Sequence, residues 1–591
     1  MKIRAAFLTF LLPFLTVCLS AHASTKDDDA GIKPQALDYS LHVAPLVSLK
    51  GIKPVYARHA MVVTAQHIAT LVGLNILKEG GNAVDAAVAI GYALAVVHPC
   101  CGNLGGGGFM ILHLADGHNH FLDFREKAPL KAYTTMYQNL HGVVIPDLST
   151  RTYLGVGVPG TVMGLNSALE KYGTMQLKQV IRPAISLARR GFLLEPGDVH
   201  ILDKRLDDFR KYPNVASIFL NHGKPWRTGQ KLRQPQLAQT LERIARGGTN
   251  AFYYGTIAKT IVAASRQHHG ILSMKDFANY NVVWGKPIEC AYHGYTIISD
   301  PPPSSGGVTI CEILQIIKPY PLTKWGFASV KTLHYLIEAE RHAFADRNTY
   351  LGDPAFVHNP IKELLSSANA ARIRSHISPN SATPSIAVKG SLGPSEGFDT
   401  TQYSVVDAKG NAVSVTYTIN YLFGLGQIAG NTGFFLNNEM DDFTSKPGVP
   451  NSFGLVQGRA NRIEPGKRPL SSMSPSIVLR KGKLFMVTGS PGGSTIISTT
   501  LETILNVIDF GMNMQQAVDA PRFHEQWIPA TVMIEPGLLT LTVKHRLEKM
   551  GYHFQYGHGW GAAMAILLNP KTGLYEGAAD RRRPSALAAG Y

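Results

Sequence analysis

The sequence predicts an α/β fold, and three observations predict it. Residues 84–97 form a nearly unbroken Ala- and Val-rich run of helical length, the pattern of a helix buried on every side. Residues 401–406 and 412–420 alternate like paired strands, and Asp407-Ala408-Lys409-Gly410-Asn411 between them supplies the turn residues of a hairpin. The length of 591 residues exceeds what one core usually holds, which leaves two lobes or one large layered domain. With 45% apolar and 17% charged residues the chain is far from the composition of disorder, so most of it should fold.

Taken in order, Met1 to Ala23 carry Lys2 and Arg4, an apolar run from Ala5 to Leu19, and the small-x-small end Ala21-His22-Ala23. That is a secretory signal pattern, with the mature chain starting near Ser24. The run is short for a bilayer span, and no later segment is long and apolar enough to be one. A polar, irregular arm extends to about Val55. Over 65–78, Ile68, Leu71, Val72, Ile76 and Leu77 recur at helical period, and Glu79-Gly80-Gly81-Asn82 stops them. The buried helix of 84–97 follows, then the glycine cluster Gly102 to Phe109, a strand over 109–113, and a strand running through Phe121-Leu122-Asp123-Phe124-Arg125-Glu126. Helical and loop patterns fill much of 160–380, including 333–346, whose apolar and aromatic positions read as core. Residues 381–399, with Gly390, Gly393, Pro394 and Gly397, have the composition of a flexible tether and mark the best internal boundary. In the hairpin beyond it, Val413, Val415, Tyr417 and Ile419 face one core while Ser414, Thr416, Thr418 and Asn420 line the other face. Thr400 shares the parity of Gln402 and Ser404, a polar sheet face. A strand over 484–488 then leads through Gly489-Ser490-Pro491-Gly492-Gly493-Ser494-Thr495 into an amphipathic helix containing Ile497, Leu501, Ile504, Leu505 and Ile508.

Charge and cysteine content narrow the function classes. A formal charge of +16 favours anionic small molecules or surfaces. Lys and Arg are scattered without a basic-aromatic motif, apart from Arg581-Arg582-Arg583, which argues against nucleic acid. After removal of the leader, Cys100, Cys101, Cys290 and Cys311 remain, and a Cys290 to Cys311 bridge is one pairing an oxidising compartment allows. Cys100 and Cys101 read more readily as buried structural cysteines than as reactive ones. No Cys-x-x-Cys or His-Glu-x-x-His spacing occurs, so zinc is not expected.

The chemistry gathers at a few places. A backbone cut before Thr400 would make its hydroxyl a nucleophile and its freed α-amine, with an ordinary pKa near ~8, the adjoining base. Gly489 to Thr495 offers amides at a helix N-terminus, which suit a structural turn, an oxyanion or a phosphate; the phosphate reading lacks a Walker lysine. Arg125 can fork onto a carboxylate, although alone it reads as a surface ion pair. Asn437-Asn438-Glu439-Met440-Asp441-Asp442-Phe443 supplies acceptors without an EF-hand pattern, and Leu470-Ser471-Ser472-Met473-Ser474-Pro475 supplies hydroxyls. Residues 445–467 between them are long and rich in Pro and Gly, a length seldom seen without a lid role or disorder.

Read together, Gly81-Asn82-Ala83-Val84-Asp85-Ala86-Ala87, the Gly102 to Phe109 cluster, Asp123 to Glu126, Thr400 to Asp407, Arg468 to Pro475, Gly489 to Gly493 and Ala520-Pro521-Arg522 resemble the gamma-glutamyltranspeptidase (glutathione hydrolase) family of N-terminal nucleophile hydrolases. The resemblance spans nearly the whole mature chain. It implies a four-layer αββα sandwich formed by two subunits cut from one precursor: a leader of 1–23, a large subunit of 24–399 and a small subunit of 400–591 that stay associated as a heterodimer. By the same resemblance Thr400 is the nucleophile of processing and catalysis, Thr418 positions or activates it, and the Gly492 and Gly493 amides form the oxyanion hole. Arg125, Ser471 and Ser472 should hold a glutamyl α-carboxylate, Glu439 and Asp442 its α-ammonium, and Asn420 should point to substrate. The implied reaction takes the γ-glutamyl group from glutathione or other γ-glutamyl compounds through a threonine ester to water, amino acids or dipeptides, in the periplasm or outside the cell, and neither route needs a metal or an organic cofactor.

Two departures from the family pattern stand out. Gln402 replaces a common histidine, which bears on local hydrogen bonding. Phe453 stands where bacterial relatives often have tyrosine, which removes a hydroxyl bond to Asn420 and implies a looser lid. An acylase or poly-γ-glutamate-processing enzyme of the same fold is the nearest alternative, and a non-catalytic secreted binding protein the more distant one.

Overall fold

Two seven-stranded antiparallel sheets form the centre of the molecule. The computed structural model describes residues 49–385, 400–557 and 559–591. The expected leader, most of the polar arm and the greater part of the tether, with Asp399, lie outside the described residues. Strands β1 (Val55–Ala57), β2 (Met61–Thr64), β3 (Gly107–His113) and β4 (Asn119–Asp123) are followed by β5 (Val283–Gly285), β6 (Ile288–Tyr292) and β7 (Tyr295–Ser299). Beyond the tether come β8 (Thr401–Val406), β9 (Ala412–Thr418), β10 (Ser476–Arg480), β11 (Lys483–Thr488), β12 (Met564–Leu568), β13 (Tyr575–Ala579) and β14 (Leu587–Gly590). One sheet runs β1-β13-β12-β11-β10-β7-β6 and the other β14-β2-β8-β9-β3-β4-β5. Each sheet therefore interleaves strands from before and after residue 400. Strands β5 to β7 depart from the helix-and-loop expectation for 160–380; they have three to five residues, too few for alternation to stand out beside neighbouring helices.

Three apolar cores separate four layers. Met61, Val63, Phe109, Ile111, Ile298, Ile477 and Met564 fill the space between the sheets. On the outer face of the β8/β9 sheet, Tyr403, Val405, Val413, Val415 and Tyr417 pack with helices α1 (His67–Lys78) and α2 (Ala83–Val97). On the other side, Val478, Met486 and Ala565 pack against α3 (Gly306–Ile317), α4 (Val330–Tyr350) and α5 (Thr495–Ile508). The result is an αββα sandwich, and the described chain belongs to one compact unit, Pro34–Tyr591, rather than two lobes. Among the described residues no helix is long and apolar enough to cross a membrane.

Several sequence motifs serve this frame. Every residue of α2 is buried, as its composition requires. Its N-terminus is closed by a reciprocal cap, in which Asn82 Oδ1 accepts from the amides of Val84 and Asp85 and Asp85 Oδ2 accepts from Asn82 at 2.8 Å. Asp85 also accepts from the amides of Thr174 and Met175, both at 2.9 Å. Asp407 in the hairpin turn accepts from Ala83 at 3.0 Å, so the turn is tied to the first residue of α2. The glycine cluster is a packing device: a Cβ on Gly106 would collide with the Thr418 carbonyl, and one on Gly108 with that of Thr416. Cys290 and Cys311 form a disulfide between β6 and α3. Its ends are 21 residues apart, which corresponds to stabilisation on the order of 3 kcal/mol by the loop-entropy model.

Candidate active site

The hairpin register places the threonine pair. Thr401 lies opposite Tyr417, so Thr400, one residue before β8, comes across from Thr418. Thr400 Oγ1 donates to Thr418 Oγ1 at 3.4 Å, and the Asn420 amide donates to the same oxygen at 2.9 Å. Asn420 has φ +73, a left-handed turn that ends the strand and carries its side chain onto the Asn438 carbonyl at 2.9 Å. The alternation read from the sequence is borne out: Val413, Val415 and Tyr417 enter the helix-side core, whereas Ser414 Oγ reaches between the sheets to the Thr488 carbonyl at 2.9 Å. Gln402 settles on that same inner face. Its Nε2 donates to Ser414 Oγ at 3.0 Å, its Oε1 accepts from Thr416 Oγ1 at 2.5 Å, and it packs under Gly489. The amide thus satisfies the hydroxyls around it with one donor and one acceptor.

A cavity with about 330 Å³ of empty space opens beside Thr400 and is lined by Thr418, Asn420, Arg125, Glu439, Asp442, Ser471, Ser472 and Gly493. Arg125 lies just past β4 and is fully buried, so it is no surface ion pair. Its Nε donates to the Pro469 carbonyl at 3.2 Å, while Nη1 meets Glu439 and Nη2 meets Asp442. Glu126 sits 3.6 Å from the same guanidinium. Burying a guanidinium is costly unless carboxylates face it, and Arg125 is held above its ordinary pKa by Glu439 and Asp442 against the effect of burial. One guanidinium cannot compensate three buried carboxyls. Burial therefore raises Glu439 and Asp442, and pushes Glu126 up to about 8 despite Arg125.

The two serines are fixed from behind. Ser471 donates its amide to the Pro303 carbonyl at 2.8 Å and accepts on its own carbonyl from Ser305. Ser472 Oγ accepts from Arg347 Nη2 at 3.0 Å. Arg347 escaped the sequence reading, which treated its helix as scaffold. It lines the cavity from α4, donating also to Ser305 Oγ at 2.9 Å and to Gln457 Oε1 at 3.0 Å. Burial pushes it down to about 10, with Asp442 opposing, so it remains a cation at neutral pH. The available signal was helical spacing: Arg347 falls on the buried row of Glu340, Ala343 and Phe344, where a charge needs a reason.

Gly492 and Gly493 have φ +139 and +57, conformations that favour glycine, and lead into the N-terminus of α5. Neither amide donates to a backbone carbonyl among the described residues. Gly493 lines the cavity directly, and Gly492 lies one residue behind it. From the stretch 445–467, Phe453 and Leu455 line the cavity. Phe453 is edge-on to Tyr421 with ring centroids 5.9 Å apart, and Asp441 anchors the segment by accepting from the Ser452 amide at 3.2 Å.

A family model described as gamma-glutamyltranspeptidase matches residues 69–590. The glutathione hydrolase proenzyme of Pseudomonas sp. (strain A14) is 53% identical over 91% of this chain and 95% of its own length. That of Escherichia coli (strain K12) is 47% identical over 91% of this chain and 93% of its own. Among solved structures, the cephalosporin acylase from Bacillus halodurans superposes with a TM-score of 0.81 at 27% identity, covering 95% of this chain and 99% of that one.

Proposed function

Since the chain belongs to the gamma-glutamyltranspeptidase family and is a gamma-glutamyl hydrolase and transferase made as a proenzyme, we propose that Thr400 carries out both its self-cleavage and its turnover. The observation that carries this assignment is that one cavity joins Thr400 to a buried guanidinium, two carboxyls and two serines. The subunits are then 24–399 and 400–591, and the cut frees the Thr400 amine. In turnover Thr400 Oγ attacks the γ-amide carbon of glutathione or a related donor while the amine takes its proton. Gly492 and Gly493 stabilise the oxyanion, and the proton passes to the leaving amine, releasing cysteinylglycine. A γ-glutamyl ester remains on Thr400. Water resolves it to glutamate, and the amine of an amino acid or dipeptide resolves it to a new γ-glutamyl compound.

Specificity follows from the ion pairs already in place. A glutamyl head group is itself a paired anion and cation, so its carboxylate takes Arg125, Ser471 and Ser472 while its ammonium takes Glu439 and Asp442. Exchange of one set of ion pairs for another leaves few buried charges uncompensated. This buried pairing, covered by Phe453, favours a free glutamyl group over the bulkier donors of an acylase. Two disulfides in the described chain accord with a periplasmic or extracellular site.

The test is gel analysis with N-terminal sequencing of wild type and Thr400→Ala, followed by turnover of a γ-glutamyl anilide. Wild type should yield two chains, the smaller beginning at Thr400, and should release the chromophore; Thr400→Ala should stay whole and inert. A wild-type chain that stays whole, or a variant that still cuts before residue 400, overturns the assignment.

A further inference from the structure

Cys100 and Cys101 form a disulfide between neighbours in sequence, just past the C-terminus of α2. A bridge between adjacent residues closes no chain loop, so the entropic stabilisation that explains most structural disulfides is absent here. What surrounds the two sulfurs is specific. Arg583 Nη1 donates to His98 Nε2 at 2.8 Å, and Cys100 Sγ lies 3.4 Å from that same Nε2 and 3.6 Å from Nδ1, packed against the imidazole rather than in line with one N–H. The same Arg583 nitrogen lies 3.6 Å from Cys101 Sγ. Burial and Arg583 keep His98 neutral. Cys101 Sγ therefore has a cationic N–H beside it, an environment that stabilises its thiolate, while Cys100 Sγ rests against a neutral imidazole. A separate cavity with about 290 Å³ of empty space reaches Cys100 and His98, walled chiefly by apolar groups such as Phe192, Leu194 and Leu202.

We propose that Cys100–Cys101 is a thiol–disulfide exchange site that a small thiol reaches through this cavity. The thiolate of one small thiol attacks Cys100 Sγ, the Cys100–Cys101 bond breaks, and Cys101 leaves as a thiolate beside Arg583. A second small thiol attacks the sulfur of the first, releasing their disulfide and the Cys100 thiolate. Two thiols thus lose two electrons, the protein disulfide gains them, and the two thiol protons end on the two cysteines or in solvent. The Cys101 leaving group is the one nearest the cation, which directs the first attack to Cys100, the sulfur that lines the cavity. The source of the thiol rests on the proposed function: cysteinylglycine, the leaving group of glutathione cleavage, is a small thiol produced by the enzyme itself.

The processed enzyme, oxidised and folded, would be treated with dithiothreitol or with cysteinylglycine, quenched in acid, alkylated and analysed by peptide mass spectrometry. Cys100 and Cys101 should resist alkylation beforehand and both become alkylated after either thiol, while Cys290–Cys311 stays closed. Arg583→Gln, which removes the cation beside the Cys101 leaving group, should slow the opening about tenfold, the scale of one pKa unit of lost thiolate stabilisation. Free thiols at 100 and 101 without reductant, a bridge that opens only on unfolding, or a stoichiometric metal held by His98, Cys100 and Cys101 would each overturn the proposal. Opening by dithiothreitol but not by cysteinylglycine overturns the dipeptide as the thiol. The readout is sulfur chemistry rather than turnover, so its failure is distinct from failure of the glutamyl reaction.

Discussion

At the scale of single residues, the site depends on groups that hold other groups. Arg347 uses its fork to bind Ser305, Gln457 and Ser472 at once, and Lys could keep the charge but not that geometry. Arg347→Lys should raise KM for a γ-glutamyl anilide about tenfold, the scale of one lost charge-assisted hydrogen bond, with a smaller change in kcat. Unchanged KM would remove Arg347 from substrate positioning. Gln402→Leu leaves Ser414 and Thr416 without their amide partner between the sheets, and should cost about 1–3 kcal/mol of stability in denaturant unfolding. Legibility in the sequence divides along the same line. Thr400, Thr418 and Asn420 were readable because strand parity and one hairpin relate them. Arg347 was not, because its partners Ser472 and Gln457 lie more than a hundred residues away, 125 and 110 positions along the chain.

At the scale of elements, the hairpin β8–β9 and helix α2 followed from period and composition, since each is buried in a way its own sequence records. Strands β5 to β7 did not, because short strands next to helices carry too few alternations. Length and composition set the 445–467 stretch apart as a lid or a disordered segment, but its anchoring by Asp441 and the place of Phe453 in the cavity wall depend on tertiary contacts. Asn420 Nδ2 already donates to the Asn438 carbonyl, and the Phe453 ring offers the cavity only apolar surface. A tyrosine hydroxyl here would find the Asn420 amide group on the rim of the same cavity. Phe453→Tyr should therefore hold the lid more tightly, seen as slower proteolysis within 445–467 and a shift in the ratio of transfer to hydrolysis. Equal protection and equal acceptor selectivity in the two proteins would show that the ring alone closes the site.

At the scale of the whole molecule, four layers bury many carboxyl groups, and the family resemblance gave the layer order that local patterns could not. Two sheets that each interleave strands from both sides of residue 400 explain why the two chains should stay together after a cut there. Burial at this scale also sets a pH dependence. Glu502, on α5 in the core outside the β10/β11 sheet, keeps one oxygen on the Phe523 amide at 3.0 Å. Burial pushes its carboxyl from 4.5 up to about 8. An acid raised in the folded state binds its proton more tightly there than in the unfolded chain, so the stability it permits is complete below pH 4.5 and is lost as pH rises towards 8. Glu502→Gln keeps the Phe523 bond and removes the titration. Unfolding in denaturant across that window should show wild type losing on the order of a few kcal/mol relative to the variant, with the difference level above pH 8. A difference that stays constant from pH 4.5 to 8 would mean that Glu502 ionises in the folded protein as readily as in the unfolded chain.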